Sequence, residues 1–209
     1  MTSVPDTAPQ GAVLRYSNTA VAFHWITAAL VLVQAYLGFR FGLSEPGPAR
    51  GEIFIWHKSV GALILLLVLA RLAYRVKNPP PPFPPELSPF ERFAAVWNHR
   101  LFYLLLIAMP IVGFVAVSGF ANGPTTPLVG GIAVPVIPGV SKATGEMAGE
   151  VHELAAYLLV ALIVLHLAAA LKHQFIDRWR GSARMPPFQA PNHEPVVIGQ
   201  GRDATPQEG

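Results

Sequence analysis

Four apolar stretches of about twenty residues decide what this chain can become. They run from Ala20 to Phe39 (AVAFHWITAALVLVQAYLGF), from about Phe54 to Tyr74 (FIWHKSVGALILLLVLARLAY), from Leu101 to Phe120 (LFYLLLIAMPIVGFVAVSGF) and from about Val151 to Leu171. At 1.5 Å rise per residue, a helix of that length spans about 30 Å, the thickness of a bilayer's hydrocarbon core. Lipid offers no partner to a bare peptide group, so such segments must satisfy their backbone internally, as helices do. Composition agrees: 52% of the 209 residues are hydrophobic and only 13% charged, about half the usual charged share. The mean hydropathy is +0.43. The expected fold is all-α, an integral membrane four-helix bundle. Pro110 at the middle of the third stretch is tolerable there, although it would normally mark a break or kink.

A polar lead of about nineteen residues precedes the first stretch, and no small-x-small cleavage site follows it directly. It therefore reads as a retained span and not as a signal peptide. Residues 15–188 form the expected membrane domain, with structureless tails at 1–14 and 189–209. Basic residues set the orientation. With the N-terminus inside, eleven fall on the inner side (Arg15, Arg71, Arg75, Lys77, Arg92, Arg100, Lys172, Arg178, Arg180, Arg184 and Arg202) and four on the outer side (Arg40, Arg50, Lys58 and Lys142). Both termini are expected in the cytoplasm. These residues flank spans and form no single stripe, so the net charge of +3 reflects topology and no nucleic-acid partner is expected. The proline run Asn78–Pro85 reads as a polyproline-like spacer. The Gly- and Pro-rich connection between the third and fourth spans reads as a cap over the bundle mouth or a docking surface.

Chemistry is narrowed by what is missing. With no cysteine, disulfides, thiolate zinc sites, iron–sulfur clusters, cysteine nucleophiles and covalently attached haem are all excluded. The sequence also has no phosphate-binding glycine loop, no serine or aspartate catalytic constellation and no flavin or nicotinamide domain. Seven histidines remain, and four of them, His24, His57, His152 and His166, lie in or at the ends of spans, where an imidazole is costly unless partnered. His152 and His166 are fourteen residues apart on one stretch. On a helix that is within about 40° of four full turns and about 21 Å along the axis. They share one face at two depths, so His166 can meet His24 toward the inner side and His152 can meet His57 toward the outer side.

Two imidazoles on opposite sides of one macrocycle fill both axial positions of a haem iron and leave no open site, the arrangement of an electron carrier. Two such centres would divide a crossing of about 30 Å into shorter steps. Other readings of the same residues stand beside this one. A buried histidine can be a hydrogen-bonded structural residue. Zinc also takes imidazole, but it usually wants four convergent ligands or three plus water, and each pair supplies two. A proton relay usually includes carboxylates, and none lies at mid-depth.

The order and spacing of RYSNTAVAFHWITA, WHKSVGALILLLVLARLAYR, NHRLFYLLLIAMPIVGF and EVHELAAYLLVALIVLHLAAALKHQFIDR resemble the bacterial cytochrome b561 family, from about Arg15 to Phe188. That resemblance implies a multi-pass inner-membrane protein in which His24, His57, His152 and His166 hold two non-covalent b-type haems, with ubiquinone or another membrane quinone as partner at one end. It also marks His173 for proton exchange with bound quinone.

Further residues have two readings each. Arg71 and Arg75, one turn apart, could neutralise haem propionates or simply follow the positive-inside bias. Lys58, beside His57, could pair with a propionate or attract an anionic reductant. Arg15 is similar. His99, taken to begin the third span beside Arg100, could neighbour a quinone or propionate or be merely interfacial. Gly38, Gly61 and Gly113 permit close approach of a helix or a macrocycle. Trp25, Trp56 and Trp97 fit an interfacial aromatic belt, and His193 in the tail has no assigned task.

Two functions follow, with a third as contrast. The first is an electron-transfer oxidoreductase that takes electrons from an outer-side donor and exchanges them with quinone. Some members of the resembled family use superoxide, a small anion that a positive outer side would draw in. The second is a haem-bearing membrane anchor that serves a dehydrogenase, a hydrogenase or a periplasmic redox protein. The contrast is a non-redox membrane protein that would purify colourless.

Overall fold

A computed structural model describes residues 13–83, 87–177, 184–187 and 196–198. The four expected spans are helices: α1 (Asn18–Leu43), α2 (Pro48–Lys77), α3 (Pro89–Gly119) and α4 (Lys142–Leu171), the last continued by a π-helical turn over Lys172–Ile176. Each is long and apolar enough to cross a membrane. α3 begins twelve residues before the expected start of its span, and α4 nine. Hydropathy marks where lipid ends, and a helix does not stop there. Consequently His99 does not open the third helix but lies well inside it. Pro110 is accommodated, with α3 continuous through it.

Short local signals start each helix. The Ser17 hydroxyl accepts from the Ala20 amide at α1, Pro48 occupies the first position of α2, and the Ser141 hydroxyl accepts from the Thr144 amide at α4. At α3, Ser88 and Glu91 form a reciprocal capping box: the Ser88 amide donates to Glu91 Oε2 (3.0 Å) and the Glu91 amide to Ser88 Oγ (3.3 Å). Such caps satisfy amides that the first helical turn leaves without partners.

Two compact units divide the chain. One is built from Trp25–Ala70 and Trp97–Ile163. Its core joins all four helices through Val31, Val60, Ile64, Val68, Leu105 and Leu159. Around them the fold is inside out: Leu32, Tyr36, Leu66, Leu104, Leu154 and Tyr157 are each more than half exposed. Lipid covers such a surface at no hydrophobic cost, so packing must come from small residues that let backbones approach. Gly119 and Gly145 show this, since a Cβ built on Gly119 would stand 2.6 Å from the Gly145 Cα.

The connection from α3 to α4 also belongs to this unit. It forms an antiparallel hairpin of β2 (Thr125–Pro127) and β3 (Ala133–Pro135), whose turn uses Gly130 and Gly131 at φ near +77° and +76°, backbone that favours glycine. The Val129 amide donates to Ser59 Oγ on α2 (2.9 Å) and the Ile137 amide to Ser118 Oγ on α3 (3.1 Å). The connection is thus fastened to α2 and α3.

The other unit comprises Met1–His24, Arg71–Val96 and Val164–Gly209. The Ser17 and Tyr74 hydroxyls meet at 2.9 Å, and Phe23 packs on Tyr74. Arg184, counted in sequence as topological charge, is in fact buried: it donates to the Pro81 carbonyl and lies over the Tyr16 ring. A short parallel pairing joins β1 (Val13–Arg15) to β4 (Val196–Ile198). Parts of both expected tails are therefore strands where they are described, consistent with the β-branched run Val196, Val197 and Ile198. The rest of both tails, and His193, lie outside the described residues.

Substituting Gly119→Ala or Gly145→Ala should force the two backbones apart and cost about 1–3 kcal/mol. Thermal unfolding in detergent is expected to show a clear drop in midpoint for both. Gly149→Ala, whose added Cβ meets nothing within 4 Å, should leave the midpoint unchanged or slightly raised.

Candidate functional site

The helices bring four histidines together as two facing pairs, one in each unit. His57 on α2 and His152 on α4 have ring centroids 6.1 Å apart with planes at 76°. His24 on α1 and His166 on α4 have centroids 6.4 Å apart with planes at 57°. All four are half-buried. A metal–imidazole bond of about 2.0 Å adds to roughly 1 Å from nitrogen to ring centre. Two axial imidazoles on one iron therefore have centroids roughly 6 Å apart, and both pairs have that spacing.

Each ring of the His57 pair is held against a glycine of a neighbouring helix. A Cβ at Gly113 on α3 would stand 3.0 Å from His152 Cε1 and Nδ1, and one at Gly38 on α1 would stand 3.2 Å from His57 Cε1. His152 Nδ1 donates to the Met109 carbonyl at 3.0 Å. That bond places the ring proton on Nδ1 and leaves Nε2 unprotonated, the state a metal requires. On the other ring, the Gln34 amide donates to His57 Nε2 at 3.1 Å, while Gln34 Oε1 and His57 Nδ1 are buried without hydrogen-bond partners. Orphaned polar atoms are expensive in an apolar interior, so this pocket is built to take a further polar group. Lys58, the next residue, donates to Thr126 Oγ1 of the hairpin at 2.5 Å and lies over the Phe54 ring.

In the other unit, Arg71 Nη2 donates to His24 Nδ1 at 3.3 Å, so one of the two expected propionate-neutralising arginines does reach a paired histidine. Arg75 lies one turn further along α2. At the end of α4, both Lys172 Nζ (2.6 Å) and His173 Nδ1 (2.8 Å) reach Asp177 Oδ2. The π-helical turn explains this convergence. Its wider winding aligns residue 177 with both the fourth and the fifth residue before it, and the Asp177 amide duly donates to the Lys172 carbonyl at 3.0 Å. Such turns recur at functional sites. The Lys172 ammonium, with His173 beside it, holds the Asp177 carboxyl below the ordinary carboxylate range. The contact is accordingly present at neutral pH and lost as pH falls through that lowered value.

Among the described residues no group of three or more His, Cys, Asp or Glu is placed to hold a metal ion. Gln34, the Met109 carbonyl, Thr126 and Asp177 were not assigned roles from sequence. Gln34 was visible as an amide in an apolar span and Asp177 as part of the HQFID stretch, but nothing local indicated what either touches.

Four apolar helices that set two imidazole pairs face to face at this spacing define a membrane protein with sites of the right dimensions for haem. A profile of prokaryotic cytochrome b561 matches residues 15–187. Cytochrome b561 homolog 2 of Escherichia coli K12 is 35% identical over 165 residues, covering 78% of this chain and 87% of that protein. The protein named probable superoxide oxidase CybB of Yersinia pestis is 28% identical over 176 residues (83% and 96%), and cytochrome b561 homolog 1 of E. coli K12 is 25% identical over 174 residues (83% and 97%). The chain belongs to the prokaryotic cytochrome b561 family. It is a multi-pass protein of the bacterial inner membrane that carries electrons, and haem b is its family's cofactor.

Gly113→Val should push the His152 ring from its Met109 carbonyl and lower the haem b content of the purified protein, read by pyridine haemochrome absorbance. Gly42→Val, with nothing within 4 Å of the added Cβ, should keep the parental haem content.

Proposed function

We propose that this chain is a two-haem cytochrome that moves electrons from superoxide to ubiquinone. The observation that carries the reading is the pair of facing imidazole sets at 6.1 and 6.4 Å, each with one histidine from the continuous helix α4. His57 and His152 hold one haem b, and His24 and His166 hold the other. Held by these histidines, haem would supply a reversible one-electron acceptor.

The rest falls to the chain itself. Gly38 and Gly113 keep the first imidazole pair against its neighbouring helices, and the Met109 carbonyl fixes the His152 tautomer. Arg71 and Arg75 offer positive charge to the propionates of the His24 centre. Lys58, with Arg40, Arg50 and Lys142, gives the His57 side a positive field that raises the encounter rate of a small anion. The similarity to a relative named probable superoxide oxidase supports superoxide as that anion. Two superoxide ions each give up one electron and leave as oxygen, and ubiquinone with two protons becomes quinol. His173 exchanges a proton with the quinone through Nε2 while Asp177 keeps Nδ1 occupied. The basic residues favour both termini in the cytoplasm, which puts superoxide on the periplasmic side.

His57→Ala and His152→Ala should each lose one haem of two, His24→Ala and His166→Ala the other, as read by haem quantification and by reduced-minus-oxidised spectra. Superoxide added to the detergent-purified protein should reduce both haems, and a ubiquinone analogue should then reoxidise them. His173→Gln should keep both haems but slow reoxidation by roughly tenfold or more, in line with the loss of a positioned proton donor. Two haems that ignore superoxide would transfer the assignment to an anchor subunit reduced by a separate redox protein. Four histidine variants that all retained two low-spin haems would falsify the ligand set.

A further inference from the structure

Among the basic residues assigned to the outer side, Lys58 is unlike those at Arg40, Arg50 and Lys142. Lys142 is exposed and faces Glu146 at 3.7 Å, Arg40 is exposed, and Arg50 lies over the Phe41 ring at the outer end of the spans. Lys58 is half-buried one residue from His57 and is tied on two sides. Its ammonium donates to the hydroxyl of Thr126, a residue only 6% exposed, and stacks 4.9 Å over the Phe54 ring. The roof that supplies Thr126 is itself pinned next door, through the Val129 amide on Ser59 Oγ. Among the described residues no carboxylate pairs with Lys58.

A cation fixed in place, partly shielded from water and with no paired carboxylate among the described residues acts over a longer range than a mobile, fully exposed cation, because it is screened less. Adding an electron to a neighbouring redox centre lowers that centre's charge by one, so a fixed positive charge beside it favours the reduced form. We infer that Lys58 raises the reduction potential of the centre held by His57 and His152, making it the electron-accepting end of the protein. The hairpin is the device that holds the charge there. Lys58 is then a positioning residue for electron flow, with its effect built into the resting protein, in addition to any pull on an approaching anion. The inference rests on the two-haem reading above.

The test is an equilibrium optical redox titration of the haem-loaded protein in detergent, comparing Lys58→Met, Lys58→Arg, Thr126→Val and Lys142→Met. Lys58→Met keeps the stem over Phe54 and removes the charge. It should lower one of the two midpoint potentials, the one that disappears in His57→Ala, by at least threefold in the one-electron equilibrium constant, or about 28 mV at 59 mV per decade. The other potential should stay where it is. Lys58→Arg should restore the parental value, and Thr126→Val, which unties the charge but keeps it, should shift the same potential in the same direction by less. Lys142→Met should move neither. Should Lys58→Met lose haem, Lys58→Gln, which keeps a polar end for Thr126, carries the same comparison. Unchanged potentials in a fully loaded neutral variant would overturn the inference. A His57→Ala protein that keeps both haems would instead overturn the two-haem reading on which it stands.

Discussion

An imidazole inside a bilayer must find partners for both of its ring nitrogens, and this requirement organises the molecule. Each of the four half-buried histidines faces another, with ring centroids 6.1 or 6.4 Å apart. The surrounding groups set what each ring meets: the Met109 carbonyl accepts from His152, Arg71 of the same unit donates to His24, and glycine stands where a side chain would collide. The helices cannot be held by the hydrophobic effect, since lipid satisfies their outer faces as well as protein would. Close backbone approach at Gly119 and Gly145 and a small apolar core take its place.

The two units handle polar groups differently. Around His57 and His152 they are fixed by the hairpin and by amide and carbonyl contacts from the spans, and two buried atoms, on Gln34 and His57, are left for a further partner. In the other unit, charge is gathered on one carboxylate by a π-helical turn, and Arg184 is drawn in among Tyr16 and Pro81. A fastened, positively charged pocket suits the proposed electron entry. A titratable cluster at a helix end suits a reaction that must take up protons along with electrons, as the proposed quinone reduction does.

Much of this was legible in the residues alone because the bilayer leaves few alternatives. Twenty apolar residues must be a helix, and four such stretches must share a bundle. His152 and His166 must lie on one face because fourteen residues are nearly four turns. Misjudged boundaries, such as α3 beginning at Pro89, have a simple cause: hydropathy records contact with lipid, whereas the Ser88–Glu91 capping box records where the backbone turns. The paired strands at Val13–Arg15 and Val196–Ile198 escaped notice because a three-residue pairing over such a separation leaves no period to read.

The sequence by itself determined the class of protein, since its spans, its histidines and the absence of cysteine are properties of composition and order, on which the bilayer and metal chemistry act directly. Only the tertiary structure decided which groups surround the centres. Gln34 on His57, the Met109 carbonyl on His152, Thr126 on Lys58 and Asp177 on both Lys172 and His173 depend on hydrogen-bond distances of 2.5 to 3.1 Å. Distances of that kind are fixed by how helices cross and where a loop is pinned. Three of these four contacts join residues far apart in the chain, and the fourth depends on a π-helical winding that helical periodicity does not announce.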